Sequence, residues 1–289
     1  MLPALWRFLL VVTNVIVAWM RKPLVVANWK TYVETQKDAR ALLRAARRAA
    51  RSWSGVDVWV APQATLVSAV VDKLKRSDIS VGSQAVSPFL GGQHTGEVSA
   101  ASLADAGVQF VIIGHSERRY PALGAGENDE EIRAQVARAS EAALAVVLCV
   151  GERERAAGPE SDAHFAVVEH QLTSALKDNV PDTLLVAYEP VWAIGKSAVD
   201  AIQPEQLEEM VIFIRKTLAQ ILGAQGGLAS GRERSAALRV PILYGGSVEA
   251  ENVAGLLMRG DIAGFLVGHA SVSAHSFVEI LKSVRHAKH

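Results

Sequence analysis

Eight short apolar runs alternate with longer segments of helical period and predict an α/β fold, a single-domain (β/α)8 barrel. Two further observations favour a closed ring over an open doubly wound sheet. The eight strand–helix units occupy about 265 residues, a size usual for such barrels. No G-x-G-x-x-G follows the first run, so the dinucleotide-binding fingerprint is missing. Half of the 289 residues are hydrophobic, and no linker or compositional break divides 24–284.

The strands are expected at 24–29, 56–60, 79–83, 110–114, 145–150, 184–188, 240–244 and 264–268. Each is almost continuously apolar and rich in β-branched residues, as strands covered on both faces must be. Helical period is clearest at 35–52, 128–144 and 204–222. In the last, Pro204 with Glu205 marks the start and Gly223 the stop. The segment 223–238 (GAQGGLASGRERSAAL) reads as a surface loop.

Composition narrows the function. Thirty Lys+Arg balance thirty Asp+Glu, and a formal net charge of zero argues against a general nucleic-acid binder. The single cysteine, Cys149, excludes an intramolecular disulfide and a Cys-cluster metal site, and fits a reducing cytoplasm. Residues 8–20 form an apolar run between Arg7 and Arg21-Lys22. The run falls short of the roughly 20 residues that span a bilayer. It contains Asn14 and lacks an A-x-A cleavage site. The reading favours 1–19 as an extension ahead of a start at Met20, over a membrane or signal segment, with the barrel domain at 20–289.

In such barrels chemistry belongs at the carboxyl ends of the strands. Strand one ends in Asn28-Trp29-Lys30, strand four in Gly114-His115-Ser116-Glu117, and strand six in Tyr188-Glu189-Pro190. Strands seven and eight end in Gly245-Gly246-Ser247 and Gly268-His269. Taken singly, Lys30 reads as a solvated lysine, His115 as a turn cap and Glu189 as an exposed carboxylate. Their convergence on one rim, beside two glycine-rich turns, points to chemistry. A desolvated carboxylate can remove a carbon-bound proton next to a carbonyl. A neutral imidazole and a lysine can hold the enediolate oxygens, and free backbone N–H groups can hold a phosphate without net positive charge. No His/Asp/Glu cluster has metal-ligand spacing, and no Ser–His pair sits in a nucleophile elbow.

ANWK (27–30), TGE (95–97), IIGHSERR (112–119), CVGE (149–152), AYEPVWAIG (187–195) and YGGSV (244–248) stand in the order and spacing of one family. From Met20 to the C-terminus the chain resembles the triosephosphate isomerases. The resemblance implies interconversion of glycerone phosphate and glyceraldehyde 3-phosphate in glycolysis and gluconeogenesis, by a cytoplasmic enzyme without cofactor or metal. It implies Glu189 as base, His115 as neutral electrophile, Lys30 as cation oriented by Glu117, and Asn28 as a substrate-positioning group. Backbone N–H groups of Gly195, Ser247, Gly268 and His269 would grip the phosphate, and 190–195 would form a lid that excludes water. Cys149 would pack beside the base. A homodimer is implied, with Thr95 reaching the partner subunit's site and Arg118 pairing with Glu97 of the partner subunit.

The chain departs from the family at three places. Lys196-Ser197-Ala198 stands where Thr-Gly-Lys is usual, His94 stands where an aromatic residue is usual, and Gly268-His269 replaces paired glycines. A positive φ at His269 would cost about 1–2 kcal/mol. The same chemistry on a longer ketose phosphate, of the erythrulose phosphate type, is the nearest alternative. A catalytically silent barrel used as a scaffold is another, and it would lack at least one of Lys30, His115 and Glu189.

Overall fold

The computed structural model describes residues 22–52, 55–155, 162–197, 201–226 and 236–287. The extension at 1–19, Ala198 and the middle of the 223–238 segment lie outside them. Eight parallel strands close into a barrel in chain order. They are β1 (Leu24–Asn28), β2 (Asp57–Ala61), β3 (Ser80–Ser83), β4 (Phe110–Ile113), β5 (Ala145–Val150), β6 (Leu184–Tyr188), β7 (Ile242–Tyr244) and β8 (Gly264–Val267). The ring is closed by β1 on β8, with Leu24 opposite Gly264 and Ala27 opposite Val267.

Successive strand residues point alternately in and out. The outward set, including Val25, Val60, Val111, Leu148 and Val186, packs under the helices. The inward set fills the barrel with Leu24, Val26, Trp59, Phe110, Ile112, Val147, Cys149, Leu185, Ala187, Leu243 and Leu266. Both sets are apolar, which is why the strands read as unbroken runs. Trp59 and Phe110 meet across the interior at a centroid distance of 4.6 Å. Gly82 of β3 makes room for that pair, because a Cβ there would fall 2.4 Å from the Phe110 ring.

Eight helices of six residues or more surround the ring among the described residues: α1 (Gln36–Ser52), α2 (Val67–Leu74), α3 (Ala100–Asp105), α4 (Asp129–Glu141), α5 (Ala163–Ala175), α6 (Pro204–Gly226), α7 (Val253–Arg259) and α8 (Ala274–His286). Two of them end elsewhere than the sequence predicts. The α4 helix starts with a capping box, Asn128 accepting from Glu131 N–H while the Glu131 carboxylate accepts from Asn128 N–H. It stops at Glu141 because Ala143 turns left-handed (φ 54°) and Leu144 N–H reaches back to Ala139 C=O. Gly223 does not stop α6, which runs on to Gly226. A glycine inside a helix costs about 1 kcal/mol, a loss offset here by the buried face of Leu207, Val211, Ile214, Leu218 and Ile221. The segment predicted as a loop at 223–238 is therefore helical at its beginning.

Gly82→Ala is expected to lower the unfolding free energy by about 1–3 kcal/mol, through overpacking against Phe110. Urea denaturation of the two proteins checks this, and an unchanged midpoint would mean that the ring has space to retreat.

Candidate active site

The inward parity that fills the barrel also supplies its mouth. Val26 is followed on the same face by Asn28, Ala187 by Glu189, Leu243 by Gly245 and Leu266 by Gly268. These positions open into a cavity of 460 Å³ at the carboxyl ends of the strands. Asn28, Lys30, His115, Glu189, Gly195, Ser247, Gly268 and His269 all line it, so every predicted catalytic and substrate-binding residue comes together.

Three turns aim the charged groups. After β1 the chain folds back at Lys30, which takes φ 47°, and Lys30 N–H donates to Asn28 Oδ1 (3.0 Å). This brings the Lys30 ammonium onto Glu117 Oε1, at 2.5 Å. After β4, His115 caps the one-turn helix Ser116–Arg119. Glu117 N–H donates to His115 Nδ1 (3.2 Å), so that nitrogen is an acceptor and the imidazole carries its proton on Nε2. Nε2 lies 3.2 Å from Glu189 Oε1. The other oxygen of Glu189 accepts from Ser116 N–H at 2.8 Å, and the residue is only 2% exposed. A desolvated carboxylate thus faces a neutral N–H donor and a lysine across one cavity. That is the equipment for moving a proton between adjacent carbons while an oxygen is held.

The family model described as triosephosphate isomerase matches residues 23–284. The chain belongs to the triosephosphate isomerase family. The triosephosphate isomerase of Syntrophotalea carbinolica is 41% identical over 270 residues, which cover 91% of this chain and 98% of that one. That of Symbiobacterium thermophilum is 38% identical, covering 93% and 99%. The crystal structure of triosephosphate isomerase from Bartonella henselae superposes with a TM-score of 0.74 at 31% identity, over 91% of this chain and 99% of that one.

Within this family frame, two residues without a predicted role hold the site together. Arg119, 9% exposed, donates to Gly114 C=O (2.8 Å) and Cys149 C=O (3.2 Å), tying the His115 turn to β5. Glu152, 1% exposed, accepts from Tyr188 Oη (2.9 Å) and from Trp192 Nε1 (2.7 Å). It thereby moors the 3₁₀ turn Val191–Ala193 that follows β6. The signal for both in the sequence was their place in the motifs IIGHSERR (112–119) and CVGE (149–152). Ser247 Oγ fastens the same turn from the β7 side by donating to Ala193 C=O (2.9 Å).

His269, where a positive φ would be costly, does not take one. It opens a 3₁₀ turn, His269–Val272, and among the described residues the left-handed non-glycine positions are Lys30, Ala143 and Asp261. The bend falls on Gly268 instead (φ −87°, ψ −109°), so the strain is absent, and the His269 ring meets Tyr32 edge-on at 5.2 Å. His94 lies flat on Phe89 at 3.9 Å, an aromatic role after all. Within the chain Arg118 pairs with Glu127 (2.6 Å). Thr95 and Glu97 are exposed on the 91–98 loop. Among the described residues no group of His, Cys, Asp and Glu is arranged to hold a metal ion, and no helix is long and apolar enough to cross a membrane.

Cys149 is wholly buried beneath the site, and burial together with the Glu189 carboxylate pushes its thiol well above its ordinary range. Burial does the same to the phenols of Tyr188 and Tyr244. Below about pH 8 all three are protonated whether the chain is folded or not. Above the ordinary thiol value of 9.0, joined at 10.0 by the phenols, only the unfolded chain releases these protons. Folding stability should therefore fall as pH rises through this window, by up to about 1.4 kcal/mol per pH unit per group. Urea titrations from pH 8 to 11 test it, and Cys149→Ala should delay the onset of the fall toward the tyrosine range.

Proposed function

We propose that this chain interconverts glycerone phosphate and D-glyceraldehyde 3-phosphate through an enediolate, as a cytoplasmic enzyme of glycolysis and gluconeogenesis. The carrying observation is the Glu189–His115 pair, a nearly dry carboxylate facing the Nε2–H of a neutral imidazole whose tautomer is fixed by Glu117 N–H. A neutral imidazole as electrophile beside a glutamate base is the established arrangement of this family.

Glu189 takes the proton from one substrate carbon and returns it to the next, while His115 Nε2–H and the Lys30 ammonium hold the oxygens. To reach the substrate, Glu189 leaves Ser116 N–H and swings across Gly245. A Cβ at residue 245 would sit 2.9 Å from Glu189 Cγ, so the glycine keeps that path open. The phosphate is held by backbone N–H groups of Gly195, Ser247, Gly268 and His269, which suits an anionic substrate on a chain of zero net charge. Closure of 190–195 then excludes water, which guards the enediolate against loss of phosphate.

The working form is a homodimer. Phe89 (44% exposed) and Leu90 (67%) flank the 91–98 loop. Beside the site a second hollow of 360 Å³ is lined by Lys30, Gln84, Glu97 and His115. Thr95 would enter this hollow in the partner subunit, and Arg118 would exchange Glu127 for Glu97 of the partner subunit.

A coupled assay with glyceraldehyde 3-phosphate, run beside a tetrulose phosphate, tests the reaction and its substrate. Triose turnover should dominate and vanish in Glu189→Gln. Glu189→Asp should lose about 100-fold in kcat with KM within a few-fold, because a shorter base lengthens the proton transfer. A loss confined to KM would remove Glu189 from the role of base, and turnover of only the longer sugar would overturn the substrate.

A further inference from the structure

His269 brings to the lining of the catalytic cavity, beside Gly195, Ser247 and Gly268, a side chain that a glycine there would lack. The turn that carries it is firmly held. Ser271, 1% exposed, donates to Gly268 C=O both from its N–H (2.9 Å) and from its Oγ (2.7 Å). Lys30 lies against the same turn, since a Cβ at residue 268 would stand 3.1 Å from Lys30 Cε and 3.5 Å from Nζ. The His269 imidazole meets Tyr32 edge-on, with centroids 5.2 Å apart and planes at 73°. Tyr32 belongs in turn to the reversal that aims Lys30, its N–H donating to Trp29 C=O (3.2 Å). The ring pair therefore braces the two turns that deliver Lys30 and His269 to the cavity.

This brace uses none of the ring's polar capacity. The imidazole of His269 is exposed and has neither hydrogen bond nor ion pair among the described residues. Of the charged groups that line the cavity with it, Lys30 is paired with Glu117 and His115 with Glu189, while Lys196 and Glu249 oppose each other in sign. Whatever its protonation state, an imidazole keeps at least one N–H. A phosphate seated on the backbone N–H of His269 is an acceptor brought up to a residue whose ring still has a donor to give. We propose that the His269 imidazole is a side-chain ligand of the substrate phosphate, with Tyr32 as its positioning residue. The proposal rests on the reading of this cavity as a triose phosphate site. It adds to the backbone donors a charge-assisted hydrogen bond from a ring that Tyr32 has already ordered, so little rotamer freedom is lost when substrate arrives.

Calorimetric titration of the full chain with sn-glycerol 3-phosphate tests this, because that molecule keeps the phosphate but has no carbonyl and does not turn over. His269→Phe keeps a ring against Tyr32 and removes both nitrogens. It should weaken binding about tenfold, the scale of a hydrogen bond to a charged group. His269→Asn and His269→Gln offer an amide N–H near the places of Nδ1 and Nε2, and one of the two should recover binding to within about threefold of the unaltered chain. Tyr32→Leu, which leaves the imidazole unbraced, should lose about threefold. In the coupled assay KM should rise in these variants by more than kcat falls, as for a group that holds substrate and transition state alike. Both side chains are exposed, so thermal melting should not change. Unweakened binding in His269→Phe would overturn the proposal. Equal weakness in the Phe, Asn and Gln variants would also overturn it, by reducing the ring to packing. If the unaltered chain binds glycerol 3-phosphate no better than glycerol, the phosphate reading of the cavity falls too. If it binds the phosphate and His269→Phe binds it equally well, that reading stands and this inference alone is lost.

Discussion

Each strand of this ring is covered on both faces, and that constraint decides where polar chemistry can stand. With the outward side chains under helices and the inward ones in the barrel core, the strands have polar freedom only at their ends. The mouth is assembled by letting the inward parity run one step past the apolar layers, so that Asn28 follows Val26 and Glu189 follows Ala187. Gly245 and Gly268 occupy the equivalent step on β7 and β8, and there the same parity yields space instead of a side chain. A dry floor of Cys149, Ala187 and Leu266 lies directly below, which strengthens every electrostatic contact above it.

The electrostatics of the mouth are local. Lys30 is matched by Glu117, Glu189 by Ser116 N–H and His115 Nε2, and Glu152 by Tyr188 and Trp192. The left-handed backbone of Lys30 carries a cost of the kind expected where a functional side chain must be aimed, about 1 kcal/mol or more.

What could be read from the sequence followed the same physics. Strands buried on both faces leave an unmistakable apolar run, so all eight were legible to within one or two residues. Lys30, His115 and Glu189 were legible because unusual residue types followed those runs. Helix ends were less so, since Gly223 weakens a helix without stopping one that is packed along its length. Ala143 stopped α4 without being a glycine, because the Leu144 side chain is drawn into the core. Arg119 and Glu152 stood in the quoted motifs IIGHSERR and CVGE without a role of their own. Their burial is decided by partners 30 to 40 positions away, which no local pattern records. Which residue of Gly268-His269 would take the bend could not be read from the pair, and Gly268 took it.

The order of strands around the ring also bears on how the chain reaches this state. Seven of the eight pairings join strands that follow one another in the sequence, each closing a modest loop through one helix. The eighth joins Leu24 to Gly264 and spans nearly the entire polypeptide. Its entropic cost is the largest in the molecule, and it is recovered only when the other seven pairings have brought the two edges together. Until then β1 and β8 are open edges, templates for pairing with another chain. Sealing that seam is the step at which folding and aggregation part.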